Sequence, residues 1–145
     1  MLTIDGSMLL GSGQLTRTAL SLAALTKTPI EIINIRSKRP TPGLKAQHFH
    51  AVQLLKKITN AKTKDLKLFT TKLTFIPQEL KGINTKINIG TAGAISLMIQ
   101  NIIIPLMFAE SKSIITMIGG TDVAFAPTII YLKEVILPFF AKYTH

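Results

Sequence analysis

Apolar positions along this chain change their spacing repeatedly, from strand-like runs to helical periodicity and back. Residues 2–5 predict a strand, and residues 14–25 a helix after a loop of small residues. Residues 29–35 form an apolar strand interrupted by Glu31 and Asn34. A helix is expected over 44–60, with Leu44, His48, Ala51, Val52, Leu55 and Ile58 on one face. Residues 66–69 and 72–76 read as two strands or as one long irregular strand, and 77–82 as a turn. A strand over 84–89, a helix over 92–108, a strand over 113–118 and a helix over 127–143 complete the pattern. Pro127 suits the first turn of the last helix, and Pro138 predicts a kink or an early stop.

The pattern repeats. Ile4-Asp5-Gly6-Ser7 has its counterpart in Ile89-Gly90-Thr91-Ala92, each between a strand and a helix. The stretch Ile35 to Pro40 has one in Ile118-Gly119-Gly120-Thr121-Asp122-Val123. The spacing is too long for a solenoid and fits two copies of a β-α-β-α unit. Only the first is followed by candidate strands that would finish its sheet. The expected organisation is therefore an α/β (α+β) fold, with a first unit over 1–82 and an incomplete second unit over 83–145 in one globular domain.

Charge sharpens this division. The 145 residues carry a formal net charge of +10, and thirteen of the 17 Lys and Arg precede Ile83. A basic first half points to a polyanionic partner, and an apolar second half to burial. With no cysteine, disulfides and thiolate zinc sites are excluded, and a cytoplasmic setting is expected. The N-terminus lacks the charged and apolar regions of a signal peptide. The uncharged run 92–109 approaches one bilayer in length, but Ser96, Gln100, Asn101 and Pro105 within it favour a buried helix over a membrane span.

The candidate chemistry begins at Arg36-Ser37-Lys38-Arg39-Pro40-Thr41-Pro42-Gly43. Two prolines stiffen a loop that displays guanidinium groups at a strand's end, an arrangement suited to bidentate capture of phosphate oxygens. A solvated basic loop is the alternative reading. Gln100 is anomalous in an apolar run, because a buried amide needs partners.

Together these motifs resemble the N-terminal part of the RNA 3′-terminal phosphate cyclase family. The likeness rests on Ile4-Asp5-Gly6-Ser7, Gly13-Gln14 with Arg17-Thr18-Ala19-Leu20, Asn34-Ile35-Arg36 with Lys38-Arg39-Pro40, and Pro42-Gly43-Leu44 with Gln47-His48. Ile89-Gly90-Thr91-Ala92-Gly93 and Gly119-Gly120-Thr121-Asp122-Val123 complete it. It implies repeated βαβαββ units, one complete and one incomplete here, resembling the C-terminal domain of translation initiation factor 3.

The implied activity uses ATP to convert an RNA 3′-phosphate to a 2′,3′-cyclic phosphate through a nucleotidyl-histidine. That histidine belongs to a region outside this chain, so no catalytic residue is expected here. By resemblance, Arg17, Arg36, Arg39 and Gln47 correspond to phosphate- or RNA-binding positions and Gln100 to a nucleotide-binding one. His48 is expected as a satisfied core or supporting residue, His50 and His145 at the surface, and Asp122 as a loop-orienting group. Gly90 and Gly93 are expected to permit close backbone approach at a helix start. Mg²⁺ is implied by the family, yet Leu10 stands where the family carries a glutamate, so no metal ligand is expected in this chain.

The expected partners are an RNA 3′ end and either a C-terminal half or a second copy covering 127–143. Alternatives are a non-catalytic cyclase-like protein that binds RNA or acts in ribosome assembly, or a degenerate remnant.

Overall fold

The computed structural model describes residues 1–8 and 10–143, so Leu9 and His145 lie outside the described residues. It is a mixed α/β fold. The element order is β1 (Leu2–Asp5), α1 (Gly13–Thr26), β2 (Ile30–Ile33), α2 (Ala46–Thr59), β3 (Lys62–Lys64) and β4 (Leu73–Ile76). Then come β5 (Asn84–Asn88), α3 (Ile95–Met107), β6 (Ile114–Ile118), α4 (Ile129–Tyr131), a π-helical stretch (Leu132–Ile136) and α5 (Leu137–Ala141).

β1 and β2 pair in parallel, with Leu2 opposite Ile30 and Asp5 opposite Ile33. β4 runs antiparallel to β2, and β3 antiparallel to β4, giving the order β1-β2-β4-β3. Alternation along β2 sets the faces: Ile30 and Ile32 are buried, while Glu31 on the other face pairs with Lys72 at 2.9 Å. β5 and β6 form a separate parallel pair. One buried apolar cluster nevertheless joins the two sheets, running from Leu20, Ile32, Leu55 and Phe75 to Ile87, Met98 and Ile102.

The strand expected at 66–69 is not formed. Extended pairing falls earlier, at β3, and the chain then turns through Asp65 and Phe69, both at positive φ. The backbone of 66–69 is committed elsewhere: Phe69 N–H donates to Leu44 O, and Leu44 N–H donates to Thr70 O. The same pairing holds Leu44 extended, so α2 starts at Ala46. The second half shows a similar adjustment. α3 starts at Ile95 because residues 93–94 are held extended against Gly120, through Gly120 N–H to Gly93 O and Ile95 N–H to Gly120 O.

Pro138 does not stop the last helix. Proline has no N–H to return to the carbonyl four residues earlier, and the chain widens into the π-helical stretch Leu132–Ile136 immediately before it. Of this helical region only Leu132 is fully buried; Ile130, Tyr131, Val135, Leu137 and Phe139 are exposed. An apolar groove of about 770 Å³ lies between α3, β6 and Leu137. No described helix is long and apolar enough to cross a membrane.

The basic loop of 34–45 is fastened at Gly43. Gly43 sits at φ +79, its N–H donates to Ile35 O, and a Cβ there would overlap the Phe69 carbonyl. We expect Gly43→Ala to destabilise the fold by about 2 kcal/mol or more, because it combines a positive φ with a backbone collision. Urea unfolding checks this, and a midpoint equal to wild type would show that the loop is not clamped at this point.

Candidate functional site

α1 is the element around which the candidate residues gather. No carboxylate lies in its first turn, and the side chain of Ser12, its N-cap, makes no capping hydrogen bond. At its first residue, Gly13, a Cβ would collide with His48 Nε2, so the absence of a side chain lets the imidazole of α2 press against the start of α1. One α2 residue earlier, Gln47 turns toward α3, and its Oε1 accepts from Ala94 N–H at 3.0 Å. Ala94 is the N-cap of α3, so Gln47 satisfies one of the amide donors at that helix start.

His48 is not satisfied. Its Nδ1 is buried with no hydrogen-bond partner among the described residues. Burial, followed by the positive charges of Arg36, Arg17 and Lys45, pushes its pKa down to about 4. The imidazole is therefore neutral near pH 7. His50 instead has a partner, Gln53 Oε1 at 3.0 Å, and sits edge-on to Phe49.

The structure separates the three arginines. Arg36 is buried, at positive φ, and its Nη1 donates to Thr41 O at 2.9 Å and Gly43 O at 2.8 Å. It braces the basic loop from within. Burial and then Arg39 disfavour its charged form. Arg39 is exposed on the loop. Arg17 lies part-buried on α1 with no hydrogen-bond acceptor among the described residues, and burial lowers its pKa. A half-desolvated guanidinium with no carboxylate partner among the described residues attracts an anion more strongly than a fully solvated one does.

Arg17 and Gln100 line one cleft of about 390 Å³ between α1 and α3. The structure thus brings two of the sequence-predicted residues together, engages Gln47 at the start of α3, and leaves Arg39 exposed on the loop, outside the cleft. Asn101, which sequence reasoning passed over, lines the same cleft. It is only 2% exposed, and both Nδ2 and Oδ1 lack partners among the described residues. Asn101, more than Gln100, is the buried amide that needs partners. The signal was present: two consecutive carboxamides in an apolar helix must face different surroundings.

The residues near the first loop do not fit a hard divalent cation. Leu10 is 77% exposed and has only hydrocarbon to offer. Asp5 Oδ1 accepts from Ser7 N–H at 2.9 Å and Asn34 Nδ2 at 3.1 Å, bonds that hold its pKa below the usual range. Among the described residues, no three His, Asp or Glu side chains gather.

Two further expectations need correction. Asp122 is exposed and makes no hydrogen bond among the described residues; the turn after β6 is ordered instead by the Gly120 backbone. Gly90 has open space around it and serves its positive φ, whereas at Gly93 a Cβ would meet Ile89 and Gln47 at 2.9 and 3.1 Å.

A parallel-start βαβαββ sheet, with a cleft lined by an arginine and two carboxamides beside its first helix, defines the class as a mixed α/β protein. Sequence comparison gives the family. Residues 8–145 match the family described as RNA 3′-terminal phosphate cyclase, and the chain belongs to it. An RNA 3′-terminal phosphate cyclase of Methanosarcina mazei is 49% identical over 137 residues, covering 94% of this chain and 39% of that protein. One from Archaeoglobus fulgidus is 44% identical over 137 residues, covering 94% and 42%. One from Ignicoccus hospitalis is 41% identical over 143 residues, covering 99% and 40%. The chain spans about two fifths of the length of these curated relatives.

The depressed His48 pKa makes stability pH-dependent. The unfolded chain binds this proton near pH 6.5 and the folded one only near 4, so stability is full above 6.5 and falls as pH drops between these values. The loss should reach about 3 kcal/mol and should largely vanish in His48→Gln. An NMR titration should give His48 a midpoint near 4; a midpoint at or above 6.5 would mean the ring is solvated.

Proposed function

We propose that this chain is the phosphate- and nucleotide-binding portion of an RNA 3′-terminal phosphate cyclase, acting with ATP on an RNA 3′-phosphate, with the nucleotidyl-histidine supplied from outside this chain. The observation that carries this reading is Arg17: a part-buried guanidinium without an acidic partner among the described residues, sharing a cleft with Gln100. In such a cleft the phosphoryl group meets fixed donors in a medium of reduced polarity, where their attraction is stronger than in water. His48, kept neutral, adds no charge of its own and supports the start of α1.

Arg39 adds an exposed cation on the loop, and a separate groove between α2 and β5 carries Lys56, Lys57, Lys81 and Lys86. These exposed cations suit the RNA backbone and carry no base specificity. Arg36 acts at one remove, because its Nη1 is spent on loop carbonyls. The exposed face of residues 127–143 and the free edge of β6 fit the remaining part of the longer family protein. In the first unit the equivalent edge of β2 is covered by β4, and β6 offers Ile115 and Met117 to the apolar groove beside it.

A second reading is favoured by one observation. Leu10 and the engaged Asp5 leave the first loop without the ligands a Mg²⁺-assisted reaction would use, which suits a non-catalytic RNA-binding member of the family.

RNA binding should be salt-sensitive, because neutralising phosphates releases counterions. Arg39→Ala should weaken it uniformly across sequences and reduce the salt slope by about one unit. Arg17→Ala should cost roughly tenfold or more in affinity for RNA ending in a 3′-phosphate and little for RNA ending in a hydroxyl. Equal losses for both ends, measured by fluorescence anisotropy, would remove Arg17 from the phosphate site.

The two readings part on activity. With a C-terminal half from a relative added, the catalytic reading expects Leu10→Glu to raise Mg²⁺-dependent cyclisation. Binding of RNA without cyclisation by wild type and variant alike decides for the scaffold.

A further inference from the structure

The carboxamide of Asn101 is the least explained polar group in the described structure. It lies on α3, 2% exposed, with donor and acceptor both unpaired, and it lines the cleft that holds Arg17 and Gln100. Thr16 on α1 is also buried with an unpaired hydroxyl, yet the two side chains do not bond each other. Burying an amide without partners is costly, and a site that retains one is completed by whatever enters the cleft.

The chemistry of that occupant can be narrowed. Phosphate oxygens only accept, so a bare phosphate or polyphosphate would satisfy Nδ2 and leave Oδ1 unpaired. A hydroxyl both donates and accepts, and can meet either atom or, with a neighbouring phosphate oxygen, both. A second feature points to a nucleoside. Phe125 lines the same cleft, is fully exposed, and is held at φ 63. A bulky aromatic in this strained backbone region, with its ring in water beside a polar cleft, is suited to stacking on a sugar or base.

We propose that Asn101 reads the 2′-hydroxyl of a terminal ribonucleotide whose 3′-phosphate lies on Arg17, with Phe125 packing against the nucleoside. This rests on the reading of the cleft as the RNA 3′-phosphate site and adds to it the residue that distinguishes ribose from deoxyribose. The 2′-hydroxyl is the group that separates RNA from DNA, and it stands next to the 3′-phosphate. A site built to hydrogen-bond a hydroxyl rejects the analogue without it, because its own buried groups are then left unpaired.

The test uses the chain as it stands and two short oligoribonucleotides ending in 3′-phosphate, identical except for a ribose or a 2′-deoxyribose at the terminal residue. Wild type should bind the ribose-ended strand about tenfold more tightly or better. Asn101→Leu, close in volume and without polar atoms, should bind both strands equally and at the weaker level. Its melting temperature should be unchanged or a few degrees higher, about the shift expected from removing an unpaired buried amide. Equal binding of the two strands by wild type overturns the role of Asn101 while leaving the phosphate site standing. Binding of neither strand overturns the phosphate reading and this inference with it. A variant with lowered melting temperature and an undiminished ribose preference assigns Asn101 to packing alone. The wild-type comparison needs no variant, so it decides even if Asn101→Leu does not fold.

Discussion

The two hydrogen bonds from Arg36 Nη1 to the carbonyls of Thr41 and Gly43 organise the basic half of the molecule. They close the loop on itself, which puts Gly43 against the Phe69 carbonyl and Leu44 into its exchange with Phe69 and Thr70. That exchange sets where α2 begins. The start of α2 in turn places Gln47 beneath the N-terminus of α3 and His48 against the start of α1. A charged group buried in this way costs desolvation, and the two charge-assisted bonds offset that cost. The cleft is therefore positioned by a chain of backbone contacts that begins with a guanidinium that is not itself in it.

Much of the fold was legible because local pattern and burial agree. Leu2 to Asp5, the two amphipathic helices and the strand at Ile30 follow from spacing alone, and the repeated strand–loop–helix pattern places strands and a helix at β5, α3 and β6. What failed did so where tertiary hydrogen bonds outrank propensity. Leu66 to Phe69 has strand-like composition, but Phe69 N–H is taken by Leu44 O, so no ladder forms there. Ala92 to Ala94 has helical composition, but the segment is drawn into contact with Gly120 and Gln47. Neither partner is near in sequence, and no periodicity argument could have supplied it.

The site was legible in residue types more than in roles. Arg17, Arg36 and Arg39 look alike in the sequence, yet their surroundings assign them to a cleft, to a brace and to an open surface. Exposure and the count of available acceptors make the difference, and both are tertiary quantities. The same holds for the carboxamides. Gln47 spends its oxygen on a helix start, Gln100 lines the cleft, and Asn101 is buried there with no hydrogen-bond partner among the described residues.

Two side chains beside the candidate site, Leu10 and Asn101, pull in opposite directions. Leu10 puts hydrocarbon on an exposed loop, where it costs the fold little, because single exposed leucines are common on protein surfaces. Asn101 is a different matter. An unpaired buried amide lowers stability in every molecule that folds, and an apolar residue of similar volume would remove the penalty. An exposed leucine makes no demand for a ligand, whereas a buried amide without partners among the described residues, in the cleft of a half-desolvated arginine, leaves a demand that the fold itself does not meet. Binding of the phosphorylated end therefore has stronger physical support in this chain than metal-assisted chemistry upon it.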